Sequence, residues 1–256
     1  MSARFAKWRA IIAIGREIPS WGCMDANAHA LARYAALCQE AGLVPVVEPE
    51  VLMVGEHTLE DCCKVTDEVL RTVFCALFAQ KVLLEGMILK PNMVLPVVDC
   101  SKQAKIEEVA EATVSCLMRA VPAAVPAIAF LSGGQSAELA SAHLNAMNMR
   151  FKSRLPWALE FSFARAIQQP ALEIWQGQET NVWAAQKALY HRVRCNQAAR
   201  RGEYAKIGRP SALLLRSVAV NAHCARMDSG FPQNRRCARR RPPDAEGGSV
   251  SQQGNS

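Results

Sequence analysis

Leu83-Leu84-Glu85-Gly86-Met87-Ile88-Leu89-Lys90-Pro91-Asn92-Met93-Val94 is an apolar segment that closes on a lysine. A strand ending this way places an amine where burial disfavours the ammonium form and leaves a nucleophile able to add to a ketone. It also admits a plainer reading, in which the Lys90 side chain follows apolar surface out to water. One strand earlier stands Glu48-Pro49-Glu50, and one strand later Ser132-Gly133-Gly134-Gln135-Ser136. Glu48, Lys90, Ser132 and Ser162 follow one another at intervals of 42, 42 and 30 residues. That is the rhythm of strands alternating with helices in a parallel sheet.

The elements around this stretch follow from local patterning. Arg9 to Ile14 reads as a strand ended by Gly15, Asp25 to Ala41 as a helix stopped by Gly42, and Leu43 to Val47 as the next strand. Thr58 with Asp61 forms a variant capping box opening a long helix whose face carries Leu59, Cys62, Val69, Val73, Phe74 and Leu77. Val82 to Leu89 reads as a strand, Ile106 to Val121 as a helix, Ala127 to Leu131 as a strand and Ala137 to Asn148 as a helix. Ala158 to Phe163 is the last strand and Asn181 to Arg200 the last helix. The fold class is α/β with five βα units. A doubly wound sheet and a (β/α)8 barrel both fit. Polar residues at successive strand ends favour the barrel, although a closed one needs eight units.

Composition narrows the function classes. The 256 residues are half hydrophobic, and no apolar run nears the roughly 20 residues of a membrane span. The first residues hold no apolar signal core, and ten cysteines form no CxxC pair. A reducing, cytoplasmic protein without a zinc site or disulfide framework is expected. From Lys206 onward nine basic residues face three acidic ones, so +6 of the net +7 lies there. Residues 208–256 are expected to be a basic, disordered tail following a barrel portion over 1–207. The Arg235-Arg236 and Arg239-Arg240-Arg241 cluster lacks interleaved aromatics beyond Phe231, which argues against a nucleic-acid partner.

The polar candidates each carry two readings. Glu48 and Glu50, two apart on an extended segment, share a face, where neighbouring carboxylates suit acid/base chemistry or a solvated strand end. Lys7 and Arg9 repeat that spacing and suit a phosphate, a developing oxyanion or simply the surface. The Gly133-Gly134 turn between strand and helix can bring backbone amides to a phosphate, and such turns are also common connections. Arg165 is a bidentate phosphate partner or a surface arginine. The five histidines show no metal-ligand spacing.

Taken together, several stretches closely resemble class I fructose-bisphosphate aldolase. They are Phe5-Ala6-Lys7-Trp8-Arg9, Ala30-Leu31-Ala32-Arg33-Tyr34-Ala35, Val44 through Leu52, Leu84-Glu85-Gly86, Leu89 through Val94, Phe130 through Ser136, Leu144 through Asn148, and Phe161-Ser162-Phe163-Ala164-Arg165-Ala166. They span roughly residues 3 to 205 in the family's order. The resemblance implies a partial (β/α)8 TIM barrel and a glycolytic lyase that splits fructose 1,6-bisphosphate through a Lys90 Schiff base, with no metal or other cofactor. It implies Glu48 as proton shuttle, Glu50 as its orienting partner, and Lys7 as a positive charge near the cleaved bond. Arg9 would assist sugar-phosphate binding, and Ser132, Gly133, Ser162 and Arg165 would hold a phosphate. It further implies a homotetramer. The match opens at the family's fourth strand, so an aspartate of the first strand and a lysine of the third have no counterpart. Ala164 stands where the family has glycine, and the Arg-rich tail reads as a shifted reading frame or fused non-coding sequence. The alternative to an active lyase is a catalytically inactive fragment or pseudogene product.

Overall fold

Alternation of side chains explains the first strand pair of the computed structural model, which describes residues 3–97 and 103–204. In β1 (Phe5–Ile12), Ala10 and Ile12 are buried beneath helices, whereas Lys7, Arg9 and Ile11 point to the opposite face. β2 (Val44–Val51) is buried along nearly its whole length. It pairs with β1 in parallel register, setting Arg9 opposite Glu48 and Ile11 opposite Glu50. Both strands are longer than their apolar runs suggest. β1 starts at Phe5 because its charged residues occupy one face only. β2 continues through Pro49 to Val51, whereas the proline signalled an end.

Between these strands lies α1 (Trp21–Glu40). It begins four residues earlier than its apolar stripe because the Ser20 hydroxyl caps it, accepting from the Cys23 N–H at 3.2 Å. Its end is a Schellman motif: Gly42 N–H donates to the Gln39 carbonyl and Leu43 N–H to the Cys38 carbonyl, with Gly42 at φ +69°. α2 (Leu59–Ala79) starts on the expected capping box, where Thr58 N–H donates to Asp61 Oδ2 and Asp61 N–H to Thr58 Oγ1. Those bonds hold the Asp61 carboxyl below its ordinary range.

β3 is only Ile88–Leu89, not the eight-residue strand its apolar sequence suggests. Leu84–Gly86 coil into a 3-10 turn. The backbone of Leu83 pairs instead with a side chain: Gln39 Nε2 donates to its carbonyl at 2.8 Å and Gln39 Oε1 accepts from its N–H at 2.9 Å. The remaining elements are α3 (Ile106–Ala120), β4 (Ala127–Phe130), α4 (Ala137–Phe151), β5 (Ala158–Phe161), α5 (Arg165–Trp175) and α6 (Val182–Arg201). α5 had no clear sequence signal. Pro170 interrupts it and only Ala166 and Ala171 are buried.

All strand pairs are parallel, and the sheet runs β1-β2-β3-β4-β5 without reversal. This order settles the choice that periodicity left open. Right-handed crossovers between strands laid down in sequence put every connecting helix on one face, whereas a doubly wound sheet reverses its order and covers both. The fold is therefore part of a (β/α)8 barrel. Leu31, Leu70, Leu89, Leu117, Phe130 and Leu144 are fully buried and belong to the sheet–helix core. The expected basic tail and the boundary near residue 207 lie outside the described residues.

Candidate active site at the strand ends

Three charged side chains meet on the face of the sheet opposite the helices. Glu48, 3% exposed, places Oε1 3.2 Å from Lys90 Nζ and Oε2 3.0 Å from Lys7 Nζ. Lys90 is nearly enclosed, and Lys7 is half-exposed at the sheet edge. The Lys7 ammonium is near Oε2 but not aligned to donate to it, so this buried oxygen has an ionic neighbour and no hydrogen-bond partner. Arg9 Nε forms an ion pair with Glu50 Oε2. The two carboxylates therefore do not face each other uncompensated, as their spacing suggested. Each has its own cation, delivered by β1 in parallel register.

Burial of Glu48 requires such partners, because an unpaired carboxylate in that position is expensive. The trio has chemical capacity as well. A carboxylate touching two ammonium groups can take a proton from either, and an amine freed in this way is a nucleophile.

The phosphate-loop candidates lie past β4 and β5, along the same C-terminal edge of the sheet. Ser132 is buried, and the Ser162 backbone N–H donates to the Phe130 carbonyl at 2.8 Å. Gly133 sits at φ +57°, a conformation that favours glycine, and a Cβ there would fall 1.8 Å from Met53 Cε, so the end of the Met53 side chain would have to move. Gly134 sits at φ +93°, and a Cβ on it would lie 3.8 Å from Arg165 Nη2. The guanidinium of Arg165, the first residue of α5, thus stands beside the glycine turn that follows β4. Ala164 has φ −96°, a value open to any L-residue, so its Cβ imposes no backbone strain.

Two supports of this edge escaped the sequence reading. Gln135 Nε2 donates to the Ser132 carbonyl at 2.9 Å, and Gln135 Oε1 lies 2.6 Å from His143 Nδ1 on α4. Burial pushes the His143 imidazole down to about 4, so it is neutral at pH 7 and can donate from Nδ1 to the amide oxygen. A lone helical histidine gave no hint of this. The second support is Asn92, considered below.

A consequence for stability follows. A histidine that is depressed in the fold stabilises it fully above its unfolded value near 6.5, and that stability is lost as pH falls towards 4. Urea unfolding is expected to show about 1–3 kcal/mol more loss between pH 7 and 4.5 in the wild type than in His143→Gln. Equal losses in the two proteins would contradict the assignment.

Two cavities among the described residues lie elsewhere. One of about 220 Å³ is bounded by Trp157, Glu160 and Arg200, and an open one of about 800 Å³ by Arg16, His57 and Lys64. Among the described residues, the charged trio stands on a sheet face bordered by β1, which pairs on one side only. No helix among the described residues is long and apolar enough to cross a membrane.

Comparison with known proteins identifies the family. The probable fructose-bisphosphate aldolase class 1 of Xanthomonas campestris is 55% identical over 205 residues, covering 80% of this chain and 61% of the relative. Cytosolic fructose-bisphosphate aldolase 6 of Arabidopsis thaliana is 53% identical over 213 residues, covering 82% and 59%. Among solved structures, the fructose-bisphosphate aldolase of Plasmodium falciparum, crystallised with TRAP and a small-molecule inhibitor, superposes with a TM-score of 0.76 at 46% identity. That match covers 79% of this chain and 58% of the other. The chain spans about three-fifths of the length of these relatives. A family profile described as fructose-bisphosphate aldolase class-I matches residues 1–222. The chain belongs to the class I fructose-bisphosphate aldolase family.

Proposed function

We propose that this chain carries the Schiff-base centre of a lyase that reversibly cleaves fructose 1,6-bisphosphate into dihydroxyacetone phosphate and glyceraldehyde 3-phosphate. The single observation behind this reading is the buried Glu48 carboxylate with an amine at each oxygen.

Glu48 takes a proton from the Lys90 ammonium, and the free amine adds to the C2 carbonyl. The Nζ–C2 bond forms as the carbonyl oxygen gains a proton. The nitrogen of the adduct returns one of its protons to Glu48, and transfer of that proton to the hydroxyl lets the oxygen leave as water, producing the iminium. Removal of the C4 hydroxyl proton by the carboxylate breaks the C3–C4 bond. Its electron pair moves into the iminium, giving an enamine, and glyceraldehyde 3-phosphate departs. Protonation at C3 and hydrolysis restore Lys90 and release dihydroxyacetone phosphate. The cationic imine is the electron sink of the reaction.

In this scheme Lys7, 3.0 Å from Glu48 Oε2, places positive charge by the breaking bond. Arg9 assists sugar-phosphate binding, and Glu50 holds Arg9 in place. Ser132, Gly133, Ser162 and Arg165 grip a phosphate through hydroxyls, amides and a guanidinium. A cytoplasmic location, like that in the names of the plant relatives, and a domain ending near residue 207 belong to the same proposal.

The sheet edges favour a second reading. Among the described residues β1 and β5 each pair on one side only, and Phe5 and Ile11 on β1 are about half exposed or more. On this reading the site is inactive until further strands pair with those edges.

Borohydride reduction in the presence of dihydroxyacetone phosphate, read by peptide mass spectrometry, separates the two. A reduced adduct on Lys90 that is absent from Lys90→Ala supports the lyase. Folded protein without an adduct supports the inactive form.

A further inference from the structure

We propose that Asn92 is a positioning residue that holds Lys90 against Glu48 by completing the β2–β3 seam with its side chain. The inference rests on the lyase reading for its catalytic consequence, but its geometric part stands apart from it.

Backbone pairing between these strands is very short. It consists of Val46 opposite Ile88 and Val47 opposite Leu89, followed by the Lys90 N–H donating to the Val47 carbonyl at 2.8 Å. Parallel strands bond alternately to their two neighbours. In β2 the even-numbered residues serve β1: Val44 N–H donates to Arg4 and Leu52 N–H to Ile12. The odd-numbered residues therefore face β3. Pro49 has no N–H to offer there. The next donor on that side, Val51, lies beyond the last residue of β3.

Asn92 receives it. Its Oδ1 accepts from the Val51 N–H at 3.0 Å, while its Nδ2 donates to Thr66 Oγ1 at 3.2 Å and to the Met93 carbonyl at 3.1 Å. The amide orientation follows from chemistry, because Val51 N–H can only donate and the Met93 carbonyl can only accept. Asn92 is 1% exposed. One side chain thus ties the strand bearing Glu48 and Glu50 to the strand bearing Lys90, and fastens both to α2. It does so two residues beyond the amine and one beyond Glu50. No backbone bond of the two-pair ladder performs that task at this height. The 3.2 Å separation of Lys90 and Glu48 depends on where the strand ends sit, and a displacement near 1 Å can cost about a hundredfold in rate.

The test uses the full-length chain as wild type, Asn92→Ala, Asn92→Ser and Thr66→Val, each checked for folding by thermal melting. Lysines are methylated with formaldehyde and cyanoborohydride over a time course at fixed pH, and Lys90 and the exposed Lys81 are quantified by peptide mass spectrometry. Asn92→Ala is expected to raise the methylation rate of Lys90, nearly enclosed in the wild type, towards that of exposed Lys81, whose own rate stays fixed. In cleavage assays kcat is expected to fall about 10–100-fold with KM within about twofold. Thr66→Val, which removes one anchor and keeps the shape, is expected to move both readouts the same way by a smaller amount.

A Lys90 methylation rate and a kcat per folded molecule equal to wild type in folded Asn92→Ala would overturn the proposal, whatever the melting temperature. If Asn92→Ala does not fold, Asn92→Ser and Thr66→Val decide by the same comparison, and unchanged rates in both overturn it. If the wild type forms no adduct with dihydroxyacetone phosphate, the lyase reading fails, while the methylation series still decides whether Asn92 places Lys90.

Discussion

Glu48→Gln is expected to lower the rate of cleavage by about 10²–10⁴ while leaving the sheet intact. Glutamine keeps the shape of the side chain but can neither accept the Lys90 proton nor return one. Both carboxylate oxygens face ammonium groups, at 3.2 Å and 3.0 Å, so the substitution removes the base and leaves Lys90 and Lys7 without their counter-ion. Imine formation and carbon–carbon cleavage then lose the same group, and trapping at Lys90 should slow along with turnover. Glu50→Gln is the control. Glu50 pairs with Arg9 rather than with an amine of the trio, so its loss should act mainly on substrate affinity. Single-turnover cleavage with borohydride trapping checks both, and near-wild-type trapping in Glu48→Gln would remove Glu48 from the mechanism.

The second large effect concerns stability. Phe130→Ala is expected to cost about 3–5 kcal/mol, a large share of the 5–15 kcal/mol typical of a domain. Phe130 is 0% exposed and stands opposite Phe161 in register, two residues before Ser132. Its loss opens a cavity beneath the strand that presents the glycine turn. Urea unfolding at pH 7 measures the change, and a loss under 1 kcal/mol would place Phe130 outside the core.

Both predictions draw on residues whose roles were visible to different degrees in the sequence. The helices with caps were the most legible. Thr58 and Asp61 marked the start of α2, and Gly42 marked the end of α1, because a cap is chemistry between residues three or four apart. Strand limits were less so. β3 shrank to Ile88–Leu89 because Gln39, on a different element, takes the backbone groups of Leu83. β2 outran Pro49 because β3 is too short to need a donor from it.

Alternation and strand spacing were enough, from the sequence alone, to read a parallel α/β fold, with Glu48, Glu50 and Lys90 expected at strand ends and Lys7 and Arg9 at the entry of the first strand. Those features depend on residues close in the chain and on the two-residue period of extended backbone. Three matters waited for the tertiary structure. The unreversed strand order gave the fold its barrel sense. The register of β1 on β2 assigned Lys7 to Glu48 and Arg9 to Glu50. The short β2–β3 ladder left Val51 for Asn92, 41 residues away. Each of these is a pairing between segments separated by a helix. Which partners meet there is decided by how the strands pack, and no local pattern records it.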